Sequence, residues 1–320
     1  IYNMIEIRKY IPCSDQGTWD AFVESSKQGT FLQKRTYMDY HSDRFTDHSL
    51  MIYRRDKLYA LLPAHELGTT FCSHLGLTYA GLISTKRATA NDVCQTFAAI
   101  NNYLRQRGFK KVIYKPTPRI YHLMPADEDL YALFKECHAQ LKARNLSSTI
   151  TLRQPMKWYN IRKSGAKKAS SQNIRIVYSD DNKSYDEFWK ILTDNLRKKY
   201  HAKPVHTAEE IKMLHARFPE NIKLYVALQE DGKMLGGTLL YISHQVVHTQ
   251  YISASEEGKE KHALDALFKY LIQQEYKDYE YFDFGTSNED DGKFLNTSLI
   301  YQKEGFGGRG VIYDTYEWEL

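Results

Sequence analysis

Apolar and polar positions alternate along this chain in two rhythms, one with a period near two and one near 3.6, and each predicts an element. Short extended stretches are predicted over 4–10, 48–53, 58–67, 69–72, 77–83 and 111–114, with a hairpin around Arg55-Asp56-Lys57. Helical spacing marks 18–26, where Trp19, Phe22 and Val23 share one side. It also marks 91–107, through Val93, Phe97, Ile100 and Leu104, and Gly108 closes that helix. Pro116, Pro118 and Pro125 interrupt the pattern until Asp127, Glu128 and Asp129 open a further helix with acids at its positive end. The segment 138–152 reads as extended or mixed, and Gln154-Pro155 reads as a boundary.

The second half repeats the order. A basic, weakly amphipathic helix over 156–171 precedes a strand over 173–178 and helices over 185–196 and 208–218. Three strands follow, over 223–228, 233–242 and 245–252, and then a helix over 262–274 with Ala263, Leu264, Leu267, Phe268, Leu271 and Ile272 at i, i+3, i+4 spacing. Tyr279, Tyr281, Phe282 and Phe284 predict a buried strand that Gly285 stops. After a polar loop, Phe294, Leu295, Leu299 and Phe306 predict a helix with Gly305 as its C-terminal glycine, and 311–318 a closing strand.

Length turns this repetition into a domain count, since 320 residues suit two domains of about 150 each. No stretch reaches the roughly 18 consecutive apolar residues of a membrane helix, and the N-terminus lacks the apolar centre of a signal peptide. A cytoplasmic protein with no transmembrane segment is expected. Cys13, Cys72, Cys94 and Cys137 are scattered, which argues against a zinc site and fits reduced thiols. His74, His248 and His262 have no metal-ligand spacing and read as structural, so no metal is assigned. Neither a phosphate loop of the Gly-x4-Gly-Lys type nor a Gly-x-Ser-x-Gly elbow is present.

Charge is uneven along the chain. The net of +5 divides into +6 over 1–152 and −1 over 153–320, and 137–179 holds nine Lys or Arg and no acid. Arg197, Lys198, Lys199 and Lys203 follow as a second cluster. Such segregation fits an anionic partner such as a phosphate, a nucleotide or RNA, or else a solvated basic face. No DNA partner is expected.

The spacing Asn296-x4-Tyr301-x3-Gly305-Phe306, set between two strands, resembles the C-terminal half of the GNAT acyltransferases. The longer run Tyr301-Gln-Lys-Glu-Gly-Phe-Gly-Gly308 is similar to the Lys-x-Gly-Phe-Gly-Gly signature of the Fem-type (FemAB-like) branch, whose best-known members attach amino acids to peptidoglycan precursors. Asn160-Ile-Arg-Lys163 is similar to the basic segment that opens the second domain of that branch. Two helix-to-strand units, 102–114 and 269–281, each carry Tyr-Leu on the helix and an aromatic-Lys pair before the strand, in keeping with internal duplication. The resemblance covers nearly the whole chain. It implies an α/β (α+β) protein of two tandem GNAT-like domains with mixed central sheets. Residues 1–153 would form a degenerate domain that binds substrate or supports the other, and 154–320 the domain with the active site.

What the resemblance implies chemically is attack of an amine on an acyl carbonyl. This needs an oxyanion donor, a route for the amine proton and an acid for the leaving group. Tyr301 takes the acid role, protonating the departing thiolate of coenzyme A. Asn296 would hold the amide-bearing arm of the donor. Lys303 would bind an anionic acceptor or the developing oxyanion, and Arg162 and Lys163 would contact substrate. Asp283, inside an aromatic strand, either serves as base or orienter or pairs with a basic residue for structure. The family's phosphate loop, Arg/Gln-x-x-Gly-x-Gly/Ala, is replaced by Ser255-Glu-Glu-Gly-Lys-Glu-Lys-His262. There Gly258, Lys259 and Lys261 would cradle phosphate while Glu256, Glu257 and Glu260 oppose it.

The function expected is N-acyl transfer from acetyl-CoA or another acyl-CoA to an amine of a small molecule or of a cell-wall or surface-polysaccharide precursor. An aminoacyl-tRNA donor is the alternative, supported by Lys303, Gly307, Gly308 and the basic 137–179 segment. A non-catalytic binding protein on a degenerate GNAT fold is the rival from another class.

Overall fold

A computed structural model describes residues 5–320. Met4, the first residue of the first expected strand, lies outside the described residues. The chain divides into two compact units. One takes the chain up to Asn145 together with Asn288–Phe294 and Ile312–Leu320, and the other takes Leu146–Ser287 and Leu295–Val311. The crossing between units thus falls at 145/146, inside a strand, and not at Gln154-Pro155.

In the first unit the elements are β1 (Ile5–Lys9), α1 (Gln16–Ser25), α2 (Arg35–Met38), β2 (Thr46–Asp47), β3 (Leu50–Arg54), β4 (Lys57–Leu62), β5 (Ala64–Leu67), β6 (Thr70–Ser73), β7 (Ile83–Ser84), α3 (Ala90–Gln106), β8 (Lys111–Tyr114) and α4 (Glu128–Lys135). The apolar run 58–67, expected as one strand, is two. Pro63 has no N–H to donate, and at that residue the chain leaves the β1-β3-β4-β7 sheet and joins a second one, where β5 pairs with β2 and β6. The expected strand 77–83 shrinks to β7. Helix α3 is held by the Thr89 side chain, which accepts from the Asp92 N–H, and buries Val93, Phe97, Ile100 and Leu104 against both sheets' apolar faces. Three histidines of this unit, His41, His65 and His74, lie buried around Phe45. Burial pushes His65 down to about 4 and His74 to about 2, so all three are neutral packing groups.

In the second unit follow the end of β9 (Gln140–Thr151), α5 (Asn160–Ser171), β10 (Arg175–Ser179), α6 (Asn182–Tyr200), α7 (Ala208–Arg217), β11 (Ile222–Leu228), β12 (Met234–Ile242), β13 (Val246–Ala254), α8 (Glu256–Glu260), α9 (Ala263–Tyr270) and β14 (Tyr281–Thr286). After β15 (Asn288–Glu289) and β16 (Phe294–Leu295) come α10 (Thr297–Gly305) and β17 (Arg309–Glu319), whose last residues return to the first unit and pair with β8. The second unit's sheet has the order β10-β11-β12-β13-β14-β9, antiparallel except for the parallel pair β13 and β14. Every residue of β12 is buried, as expected of a central strand covered on both faces. Its Gly237 leaves room for the ring of Phe188 on α6, since a Cβ there would stand 3.2 Å from that ring. Phe188 is fully buried and contributes about 2–3 kcal/mol of transfer free energy.

Three sequence expectations near the C-terminus change. The helix expected from Phe294 begins at Thr297, because the Asn296 side chain caps it by accepting from the Leu299 N–H at 3.1 Å. Phe294 and Leu295 stay exposed in β16. The left-handed glycine that ends the helix is Gly307 (φ +97°) and not Gly305, which is still helical. Gly285, expected to stop its strand, is a left-handed residue (φ +73°) inside it.

Candidate functional site

The site grows from a fault in the second unit's sheet. Strands β13 and β14 pair at only three rungs, Val246 with Tyr281, Val247 with Phe282 and His248 with Asp283. Just past the last rung β13 carries an extra residue. Adjacent Leu240 and Leu239 of β12 face Thr249 and Tyr251, so Gln250 is bulged. A bulge increases local twist, and here the two strands part beyond it. Ser255 donates to the Leu235 carbonyl at 2.9 Å, which sets the alternation: Ile252 and Ala254 turn their backbone groups away from β12 and into the gap. The Asn195 amide of α6 already holds the Ala254 carbonyl and the Ser253 hydroxyl, both at 2.7 Å.

A cavity of about 690 Å³ fills this gap. Its walls are apolar on the α9 and α10 side, with Leu264, Phe268, Leu299 and Phe306, and Phe284 of β14 joins them. Its mouth carries Lys198 and Lys199 of α6 and Glu256 and Lys259 of α8. Lys303 brings the one buried ammonium in the wall. Its Nζ donates to the carbonyls of Gly285 (2.9 Å) and Thr286 (2.8 Å), a grip made possible by the left-handed turn at Gly285. An ammonium has three N–H donors, so one remains. Burial pushes Lys303 down to about 8, against the opposing pull of the Asp283 charge.

Asp283 is completely buried and is paired. Its Oδ2 accepts from His248 Nδ1 at 2.8 Å, and its Oδ1 accepts from the hydroxyls of Ser147 and Thr149 on β9, the latter at 2.7 Å. Burial raises such a carboxyl, but the His248 ring and the two hydroxyls outweigh it and hold Asp283 below its ordinary value. Of the two sequence readings, base or structural pair, the geometry therefore makes Asp283 the partner of a histidine. His248 was read from sequence as structural. Its link to a carboxylate 35 residues away has no local signature.

The remaining sequence candidates are spread. Tyr301 lies on α10 with half its surface exposed, its ring 5.3 Å from that of Tyr159, and it is not in the cavity wall. Asn296 is the cap of α10 and so sets the register that turns Lys303 inward. Gly258 packs α8 onto β12, for a Cβ there would stand 2.0 Å from the Leu235 carbonyl oxygen, and its N–H bonds the Ser255 hydroxyl at 3.1 Å. Gly258→Ala is accordingly expected to cost about 1–3 kcal/mol in urea denaturation; an unchanged midpoint would contradict this packing role. Two of the three acids that opposed phosphate are neutralised locally: Glu256 pairs with Lys259 at 2.6 Å, and Glu257 with Lys233 and Lys261 at 2.6 and 2.7 Å. Arg162 is tied to Asp265 at 2.8 Å. Lys163 opens onto a separate cavity of about 550 Å³, together with Lys167 and Lys269. Among the described residues no group of three or more His, Cys, Asp or Glu is arranged to hold a metal ion, and no helix is long and apolar enough to cross a membrane.

Residues 156–292 match the family model described as an acetyltransferase (GNAT) domain. Among solved structures the chain is similar to FemX, with a TM-score of 0.69 at 10% identity over 98% of this chain and 97% of that one. It is similar to L-PGS from Bacillus licheniformis, with a TM-score of 0.62 at 12% identity over 97% and 92%. A tandem GNAT protein from the clavulanic acid biosynthesis pathway gives 0.51 at 10% identity over 99% and 98%. No curated protein matches the chain in sequence.

Proposed function

This chain has a Fem-type GNAT fold, and on that premise we propose that it is an N-acyltransferase moving an acyl group from an acyl-CoA, such as acetyl-CoA, to an amine of a cell-wall or surface-polysaccharide precursor. The observation that carries the reading is the parting of β13 and β14 around the cavity. An extended, amide-bearing donor arm lies along the edge at the Ile252 backbone and the Ala254 N–H, the Ala254 carbonyl being held by Asn195, as an added strand would. Its acyl carbonyl then reaches the vertex, where the free N–H of Lys303 stabilises the oxyanion formed on attack. The amine nitrogen bonds the carbonyl carbon, the carbon–sulfur bond breaks, and the thiol leaves along the apolar channel. Lys198, Lys199 and Lys259 at the mouth take the donor's phosphates, with Gly258 and Lys261 shaping that rim and not touching the ligand. Asn296 acts by positioning Lys303. The acceptor class rests on the Fem-type resemblance.

A second reading, an aminoacyl-tRNA donor, is favoured by the lysine-lined cavity on the basic helix α5. Calorimetric titration with coenzyme A and with bulk tRNA at two salt concentrations separates the two, because polyanion binding weakens steeply through counterion release. Saturable coenzyme A binding that changes little with salt, together with thiol release in the presence of an amine panel, is expected. Binding of tRNA alone would replace the donor, and binding of neither would favour the non-catalytic protein.

The leaving-group role of Tyr301 has a direct test. A half-exposed phenol packed beside Tyr159 contributes little to proton transfer at the buried vertex of β13 and β14, so Tyr301→Phe is expected to change kcat by less than about threefold, against the roughly 100-fold or greater loss typical of a general acid. A loss of that larger size would restore Tyr301 to the mechanism.

A further inference from the structure

Every acyl transfer to an amine needs somewhere for the amine's proton to go, and among the described residues lining the cavity the one carboxylate, Glu256, is already paired with Lys259. The vertex offers another acceptor. His248 and Asp283 form the last rung of the β13 and β14 ladder, so their side chains stand where the strands begin to part. Asp283 Oδ2 accepts a hydrogen bond from the Nδ1–H of His248 at 2.8 Å, which fixes the tautomer of the neutral ring and leaves Nε2 with its lone pair. No protein group among the described residues hydrogen-bonds that nitrogen, and the side chain keeps 12% of its surface exposed. Asp283 is in turn locked by Ser147 and Thr149, so the ring has a rigid support reaching into β9.

The same vertex holds the cation. Gly285 has no side chain, and a Cβ there would lie 3.2 Å from His248 Cε1 and 3.9 Å from Nε2, so the ring rests against Gly285. The carbonyl of that residue grips the Lys303 ammonium at 2.9 Å. An imidazole and an ammonium thus meet at one glycine, the imidazole backed by a carboxylate.

We infer that His248 is the general base of the transfer, accepting the acceptor amine's proton at Nε2 while Asp283 orients the ring and balances its positive charge, and Lys303 holds the oxyanion. This rests on the acyltransfer reading above. The balance is simple. The amine nitrogen forms the carbon–nitrogen bond and gives one proton to Nε2, the carbon–sulfur bond breaks, and the imidazolium returns that proton to the departing thiolate. The charged or titratable groups beside the ring are Asp283 on β14, Lys303 of α10 across Gly285, and Tyr241, which stands opposite His248 on β12.

The test uses the full chain and the amine-dependent release of thiol from acetyl-CoA. His248→Gln is expected to lower kcat by at least about 100-fold, the usual contribution of a general base, and to abolish the acidic limb of the kcat/KM profile. Added imidazole is expected to restore part of the activity of His248→Ala. A merely structural histidine would give neither the lost limb nor the rescue. A measurement on the unaltered protein does not depend on either variant folding: the pKa of His248, read by nitrogen-15 resonance, must match that of the acidic limb within about one unit. A mismatch, or His248→Gln with the unaltered profile, overturns the base assignment and leaves acyl transfer standing. Absence of any transfer by the unaltered protein overturns both.

Discussion

Replacing Lys303 with methionine is expected to lower kcat by about 100- to 1,000-fold, the range seen when one oxyanion donor is removed, while the protein stays folded. Methionine keeps the apolar stem that packs beside Phe306 in the cavity wall but removes the ammonium that grips Gly285 and Thr286. The pH behaviour makes the assignment specific. Since burial lowers Lys303 to about 8, activity should fall as pH rises through about 8 and the ammonium is lost. Stability should move the other way. The folded protein gives up this proton at about 8 whereas the unfolded chain keeps it to about 10.5, so stability rises across that window. The gain is roughly 3 kcal/mol in total. Denaturation of both proteins at neutral pH and near pH 10 reads the difference between them, and other lysines and tyrosines cancel in that difference. Equal pH slopes would show that Lys303 is not buried as an ammonium, and an unchanged kcat would remove it from the chemistry.

The second large effect is structural. Asp283→Ala is expected to cost about 3–5 kcal/mol, because each buried donor left without its acceptor costs about 1–3 kcal/mol. Three donors, His248 Nδ1 and the Ser147 and Thr149 hydroxyls, lose their acceptor at once in a fully buried place. The sign of the pH dependence follows from the direction of the shift. A carboxyl held below its ordinary value contributes stability that is complete above that value and is lost as pH falls through the folded one. The gap between unaltered and variant protein in urea should therefore be widest near neutrality and close in strong acid. A gap that persists unchanged into strong acid, where the carboxyl is protonated in both states, would mean that packing, and not the ionised carboxyl, is what Asp283 supplies.

Much of the secondary structure was legible because it rests on local rules. The three strands β11 to β13 and the helix at Ala263 follow from apolar period, and the aromatic run at Tyr281 to Phe284 reads directly as a strand. Errors fell where a single residue's chemistry overrides the period. Pro63 splits a run that hydropathy joins, Asn296 delays a helix that Phe294 and Leu295 begin on paper, and Gly307 takes the left-handed place given to Gly305.

The site divides in the same way. Lys303 stands out in the sequence by its place before Gly-Phe-Gly-Gly, and that motif, with the 160–163 segment and the paired helix-to-strand units, carries the resemblance to Fem-type proteins. Whether Asp283 was a base or a paired charge stayed open in the sequence, and Tyr301 took a role that its exposed position does not favour. By itself the sequence determined the alternation of strands and helices, the duplication and the Lys303 motif, since each depends on residues within a few positions of one another. Only the tertiary structure decided that β13 bulges and parts from β14, that a cavity opens there, and that His248 meets Asp283 at the last rung before the parting. Those facts depend on which strands become neighbours, and a parallel rung between residues 35 apart leaves no periodic trace in either segment.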